Sequence, residues 1–141
     1  MSHIKSDSPE PLRVVGAVMR NIRGEVLCAL RAHHMSSPNV WEFPGGKMEG
    51  DEKPEETLQR EIEEELGCVI DVGRLVADTT ERTSSGLLIR LQTYEARLKL
   101  GQPRAKDHAS LLWLPVPYLR SLLWSPPDLP TIDVLMSELE K

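Results

Sequence analysis

Gly46-Lys47-Met48-Glu49-Gly50-Asp51-Glu52-Lys53-Pro54-Glu55-Glu56-Thr57-Leu58-Gln59-Arg60-Glu61-Ile62-Glu63-Glu64-Glu65-Leu66-Gly67-Cys68 is the stretch from which the rest of the chain is read. Pro54 suits the first position of a helix, where its fixed φ helps and its missing N–H is no loss. Leu58, Ile62 and Leu66 follow at four-residue spacing, the apolar stripe of an amphipathic helix, and Gly67 supplies the stop. The spacing predicts a helix over 54–66. On it Glu61, Glu64 and Glu65 stand three and four residues apart, so their carboxylates project from one face as near neighbours. Like charges so placed cost roughly 0.2–0.5 kcal/mol per pair, and a divalent cation removes that repulsion. Magnesium prefers hard oxygen ligands: a few carboxylates, waters and substrate phosphates. The plain alternative is a solvated acidic face. Against it stands Gly45-Gly46-Lys47, where backbone can approach a ligand closely and a lysine can meet a phosphate.

The charge distribution agrees. From Lys47 to Glu65 nine acids face three bases, a local net of -6 within a chain of net -5, which leaves the remainder near +1. A long polyanion such as duplex DNA is repelled by that segment, so nucleic-acid binding is not expected, whereas a dication is attracted. With 141 residues, 40% hydrophobic and 28% charged, the chain reads as one soluble globular domain. We take 1–11 as a flexible N-terminus and 12–141 as the domain. No run of eighteen apolar residues is present, and Met1–Pro11 lacks the apolar centre of a signal peptide, so neither membrane nor export is expected. Cys28 and Cys68 lie in apolar stretches without ligand spacing, the setting of buried reduced thiols. Together these point to the cytoplasm.

Outward from the central stretch, Leu12–Arg20 and Glu25–Arg31 read as strands joined by the turn Asn21-Ile22-Arg23-Gly24. Ala32–Val40 is a loop, Trp41-Glu42-Phe43 a short segment, and Pro44-Gly45-Gly46 predicts irregular backbone. Cys68–Asp78 and Leu87–Leu100 read as strands about the turn Ser84-Ser85-Gly86, followed by the short strand Leu111–Leu114. Helices are expected over Pro117–Trp124 and Pro130–Glu140, with Ser125-Pro126-Pro127-Asp128 as a loop between them. Such a mixture predicts an α+β fold, a mixed β-sheet covered by helices.

Gly46-x5-Glu52-x7-Arg60-Glu61-Ile62-Glu63-Glu64-Glu65-Leu66-Gly67-Cys68 resembles the Nudix signature at every defined position. A Walker A loop would need glycine at position 41 and Ser or Thr at 48, where Trp41 and Met48 stand, and EF-hand spacing is absent. Trp41-Glu42-Phe43-Pro44-Gly45-Gly46-Lys47 is similar to the segment before the signature in the MutT branch, whose members hydrolyse nucleoside triphosphates, including oxidised ones and CTP. The ending Leu123–Pro130 is similar to the loop with which that branch reads the base. The resemblance implies an α/β/α sandwich, the Nudix fold with its loop-helix.

It also implies magnesium, with manganese as a substitute, and attack of water on the triphosphate of a small-molecule nucleotide by a monomer or homodimer. Glu61, Glu64 and Glu65 would be metal ligands, joined by the Gly45 carbonyl and Asp107. One of the three glutamates, or Glu52, would orient or deprotonate the water. Arg60 would pair with a nearby carboxylate to hold it in place, and Lys47 would meet phosphate. His108 reads as a hydrogen-bonding loop side chain. Arg31 aligns with an arginine that meets the nucleotide, and Phe43 and Trp124 would flank a base or simply fill the core. Asp128 stands where branch members that favour oxidised guanine have asparagine. An ionised carboxylate only accepts hydrogen bonds, which suits the amino group of cytosine or adenine, while a protonated one also admits guanine. Cytidine nucleotides are the reading this favours, and Asp128→Asn is then expected to move preference toward oxidised guanine. The expected function is nucleotide pool sanitation by pyrophosphohydrolysis. Two other readings are a Nudix module without turnover that senses nucleotides, against which the intact glutamates argue, and hydrolysis of another nucleoside diphosphate-linked compound.

Overall fold

A computed structural model describes residues 10–83 and 85–140. Most of the expected flexible segment 1–11, and Ser84 of the expected turn, lie outside them. The apolar run Leu12–Arg20 forms β1, whose consecutive side chains bury on both faces: Val15, Ala17 and Met19 on one, Val18 on the other. A strand apolar on both sides belongs in the middle of a covered sheet. β1 indeed lies centrally, pairing in parallel with β6 (Leu88–Leu100) along its whole length and antiparallel with β2 (Val26–Leu30) at Arg20↔Val26. The strand order is β3-β2-β1-β6-β5, where β3 is Trp41–Glu42 and β5 is Val69–Arg82. β7 (Ser110–Leu114) pairs with β2.

Helix α1 spans Pro54–Leu66, with Pro54 in its first turn and Gly67 closing it at φ 73. The Glu56 side chain accepts the Lys53 N–H at 2.8 Å, satisfying a donor that the helix itself leaves free. Leu58, Ile62 and Leu66 pack against Val15, Met19, Leu27 and Ile70. The opposite sheet face is covered by α2 (Leu129–Glu138), whose Ile132 and Leu135 join Val18, Cys28 and Phe43. The architecture is therefore a mixed sheet between helices. Cys28 and Cys68 are both buried and free, and burial pushes the Cys28 thiol up to about 12. Among the described residues no helix is long and apolar enough to cross a membrane.

Three local expectations change. Pro44-Gly45-Gly46 is not wholly irregular: Gly45–Lys47 forms β4, pairing with Val14, Val15 and Gly16 of β1. A Cβ on Gly45 would collide with the Val15 carbonyl oxygen, so the missing side chain is what lets this strand form. The helix expected over 117–124 is a 3-10 helix, Val116–Ser121, after which Trp124 bridges in parallel to Trp41. Trp41 N–H donates to the Leu123 carbonyl and Ser125 N–H to that of Trp41, both at 2.8 Å, and this pairing draws the chain out of a helix. The expected loop before α2 is a single 3-10 turn, Pro126–Asp128.

Ile62 is fully buried between α1 and the sheet. Ile62→Ala is expected to destabilise the fold by about 3 kcal/mol through lost burial and the cavity left behind, read as a lowered urea midpoint with unchanged m-value.

Candidate active site

The loop between β4 and α1 folds back on the helix through Arg60. Its Nε lies 2.7 Å from Glu52 Oε2, and the second terminal nitrogen 2.9 Å from Glu52 Oε1, a bidentate pair. The other terminal nitrogen meets Glu61 Oε2 at 2.8 Å, while the one bound to Glu52 Oε1 also donates to the Lys47 carbonyl at 3.3 Å. Glu52 also accepts from the Thr57 hydroxyl at 2.8 Å and the Glu49 N–H at 3.0 Å. Arg60 first, then Thr57, hold its carboxyl down to about 2. Glu52 is thus a permanently ionised anchor.

Gly46 lies directly against Glu61, where any Cβ would strike that carboxyl group. Glu61 is 14% exposed, while Glu64 is 61% exposed and 3.6 Å from Arg60, so the helix face is graded from buried to open. Glu65 is the perturbed member. Its Oε1 is buried without a hydrogen-bond partner. Burial, then the adjoining Glu61 carboxylate, then the charges of Glu42 and Asp107, push the Glu65 carboxyl up to about 8. The structure therefore brings Glu61, Glu65 and Asp107 into one electrostatic neighbourhood. Among the described residues no three acidic, His or Cys side chains converge into a ready metal cage. Lys47 is exposed at the end of β4.

Asp128 is 5% exposed. Burial and the nearby Glu42 charge drive its pKa well up, opposed by the Phe43 backbone hydrogen bond and Arg31. That favours the neutral carboxyl, which donates as well as accepts, so the sequence argument from an acceptor-only Asp128 does not carry over. Phe43 is 4% exposed, with its ring 4.8 Å from that of Trp124, so both rings lie in the core. Arg31 does not stand free: it donates to Glu42 at 2.7 Å, the Ser36 carbonyl at 2.7 Å and the Ser36 hydroxyl at 3.1 Å.

Glu42 itself is absent from the residues singled out by sequence, yet its charge bears on both Glu65 and Asp128. One signal was present: strand neighbours alternate sides, so a charge between Trp41 and Phe43 points away from the two aromatic residues.

The chain matches the NUDIX domain family over residues 10–133. It is 32% identical over 126 residues to the CTP pyrophosphohydrolase of Escherichia coli K12, covering 89% of this chain and 92% of that protein. Identity to the 8-oxo-dGTP diphosphatase of Haemophilus influenzae is 28% over 130 residues, 90% and 93% of the two chains. The solution structure of MutT from methicillin-resistant Staphylococcus aureus 252 superposes with a TM-score of 0.74 at 37% identity, covering 93% of this chain and 99% of that one. The protein belongs to the Nudix family, and the fold is the Nudix fold. It is a Nudix hydrolase, whose relatives act as pyrophosphohydrolases on nucleotides.

The raised Glu65 carboxyl has a consequence for stability. In the unfolded chain it ionises near 4.5, in the fold near 8. The folded state therefore binds the extra proton between those values, and stability present below pH 4.5 is lost as pH rises through 8. In metal-free protein, Glu65→Gln is expected to match wild type in Tm at pH 4.5 and to exceed it at pH 8.5. A difference that does not grow with pH would place Glu65 in water.

Proposed function

We propose that the chain hydrolyses a nucleoside triphosphate, cytidine nucleotides first, to the monophosphate and pyrophosphate with magnesium, or manganese in its stead. The observation that carries this is Glu65 Oε1, a buried carboxylate oxygen without a partner beside Glu61 and under the charges of Glu42 and Asp107. Excess negative charge of that kind fits a dication. Magnesium commonly takes one or two carboxylates and completes its shell with waters and phosphates, so a full protein cage is not required. Glu61, Glu65 and the Gly45 carbonyl would hold it, with Glu64 and Asp107 at the margin. Bound there, the ion supplies charge neutralisation for the phosphates and for the attacking water.

The protein's own groups divide the remaining work. Glu52 is a poor proton acceptor, since its oxygens already receive hydrogen bonds from Arg60, Thr57 and Glu49. It fixes Arg60, which in turn fixes Glu61. Orienting and deprotonating water falls to Glu61 or Glu65. Exposed Lys47 is free to meet phosphate, and exposed Asp107 adds its charge at Glu65. A neutral Asp128 donates its O–H to cytosine N3 and accepts from the amino group, which satisfies both atoms of that edge. The Escherichia coli relative named CTP pyrophosphohydrolase supports this choice. The same pair of contacts serves oxidised guanine, the alternative supported by the Haemophilus relative.

Pyrophosphate release is the deciding assay, on CTP, 5-methyl-dCTP, 2-hydroxy-dATP and 8-oxo-dGTP with magnesium. Turnover highest on a cytidine nucleotide is expected, and no turnover of any nucleotide would favour a sensor. Glu65→Gln should lower kcat about a thousandfold, the range of a general base. Glu52→Gln should cost less, about tenfold, because it acts through Arg60. Asp128→Asn, which keeps a donor and an acceptor, should retain the base preference, and Asp128→Ala should lose it. A switch of preference in the asparagine variant would show that Asp128 works ionised.

A further inference from the structure

The loop that carries Asp107 runs exposed from Gly101 to Ser110 apart from half-buried Pro103 and one fully covered side chain, His108, which is 6% exposed. Backbone bonds pin the loop on either side: Arg104 N–H to the Leu66 carbonyl at the end of α1, and Ala109 N–H to the Leu30 carbonyl at the end of β2, each 2.9 Å. Between those pins the histidine turns inward. Its Nε2 lies 2.8 Å from Glu42 Oε2, and its Nδ1 has no partner. Burying an imidazole in a loop costs desolvation, and a hydrogen bond to a carboxylate is what offsets it.

The other Glu42 oxygen accepts from Arg31, whose remaining donors reach the Ser36 carbonyl and hydroxyl. That second loop contains Ser37 at φ 50 and Asn39 at φ 68, left-handed backbone that a serine adopts only when held there. Two loops distant in sequence are thus fastened to one carboxylate on a two-residue strand. Both Glu42 oxygens are engaged by protein donors, which leaves it little capacity to ligate an ion.

We propose that Glu42 is a positioning residue that, through His108 and Arg31, holds the Asp107 loop and the Ser36 loop in register around the active site. The contact acts as a carboxylate receiving two donors, with Nε2 of His108 carrying the proton that faces it. Its effect on turnover rests on the hydrolase reading above, whereas its effect on the loops does not.

Amide hydrogen exchange and steady-state kinetics on full-length protein test this with His108→Ala, His108→Gln and Glu42→Gln. His108→Ala is expected to raise exchange across 104–109 at least about tenfold while leaving α1 protected. Its kcat should fall about tenfold with KM within roughly twofold, the size of effect usual for groups that orient a site indirectly. His108→Gln, whose amide still donates to Glu42, should recover both. Glu42→Gln should loosen 104–109 and 32–40 together. Unchanged exchange at 104–109 in His108→Ala, a glutamine variant no better than alanine, or a Glu42→Gln variant with both loops intact would each overturn the proposal. Should no nucleotide be turned over, the exchange data still decide it, and the failure belongs to the proposed activity alone.

Discussion

Arg60 is the fixed point of the site. A helix that carries Glu61, Glu63, Glu64 and Glu65 in its last turns, after a loop bearing Glu49, Asp51 and Glu52, repels itself. One guanidinium relieves part of that repulsion selectively: both oxygens of Glu52, one of Glu61 and the Lys47 carbonyl receive its donors. A lysine at this position could not reach three directions from one plane. Gly46 can then lie against Glu61, and β4 against β1, because the intervening loop is tied down from the helix side. Beyond Glu61 the compensation weakens to a 3.6 Å ion pair with exposed Glu64. Glu65, one turn further on and on the buried side, keeps an unpaired oxygen.

A second set of charges centres on Glu42. Glu42 receives Arg31 and His108, so its oxygens are satisfied, but its charge is still felt by Glu65 and by Asp128. Two acids are therefore satisfied, Glu52 by Arg60 and Glu42 by Arg31 and His108, whereas burial and neighbouring charge push the carboxyls of Glu65 and Asp128 up. This asymmetry separates paired carboxylates from perturbed ones more sharply than their positions in the sequence do. Glu52 and Glu65 are both signature glutamates, yet one is held at about 2 and the other at about 8.

What could be read from the chain is what short-range periodicity controls. Leu58, Ile62 and Leu66 with Pro54 and Gly67 delimit α1 without reference to anything else, and β1 follows from an apolar run too short for a helix. Elements whose existence depends on a distant partner were not readable in the same way. β4 needs β1 beside it, and the glycines that suggest a break are what allow the approach. Leu122–Trp124 leaves the helical path because Trp41 offers backbone partners from more than eighty residues away. The acidic triad was visible as a cluster, but its gradation from exposed Glu64 to half-buried Glu65 comes from how α1 sits on the sheet.

The same distinction applies to Asp128. Sequence supplies an aspartate, and chemistry at neutral pH supplies an ionised one unless the surroundings object. Here they do: Asp128, at the end of the 3-10 turn Pro126–Asp128, is buried away from water and close enough to Glu42 to feel its charge. A neutral carboxyl has the hydrogen-bonding pattern of an amide, one donor and one acceptor side by side. Aspartate and asparagine at this position are then not opposites. On the base-reading role proposed for Asp128, its charge alone would then not separate cytosine from oxidised guanine.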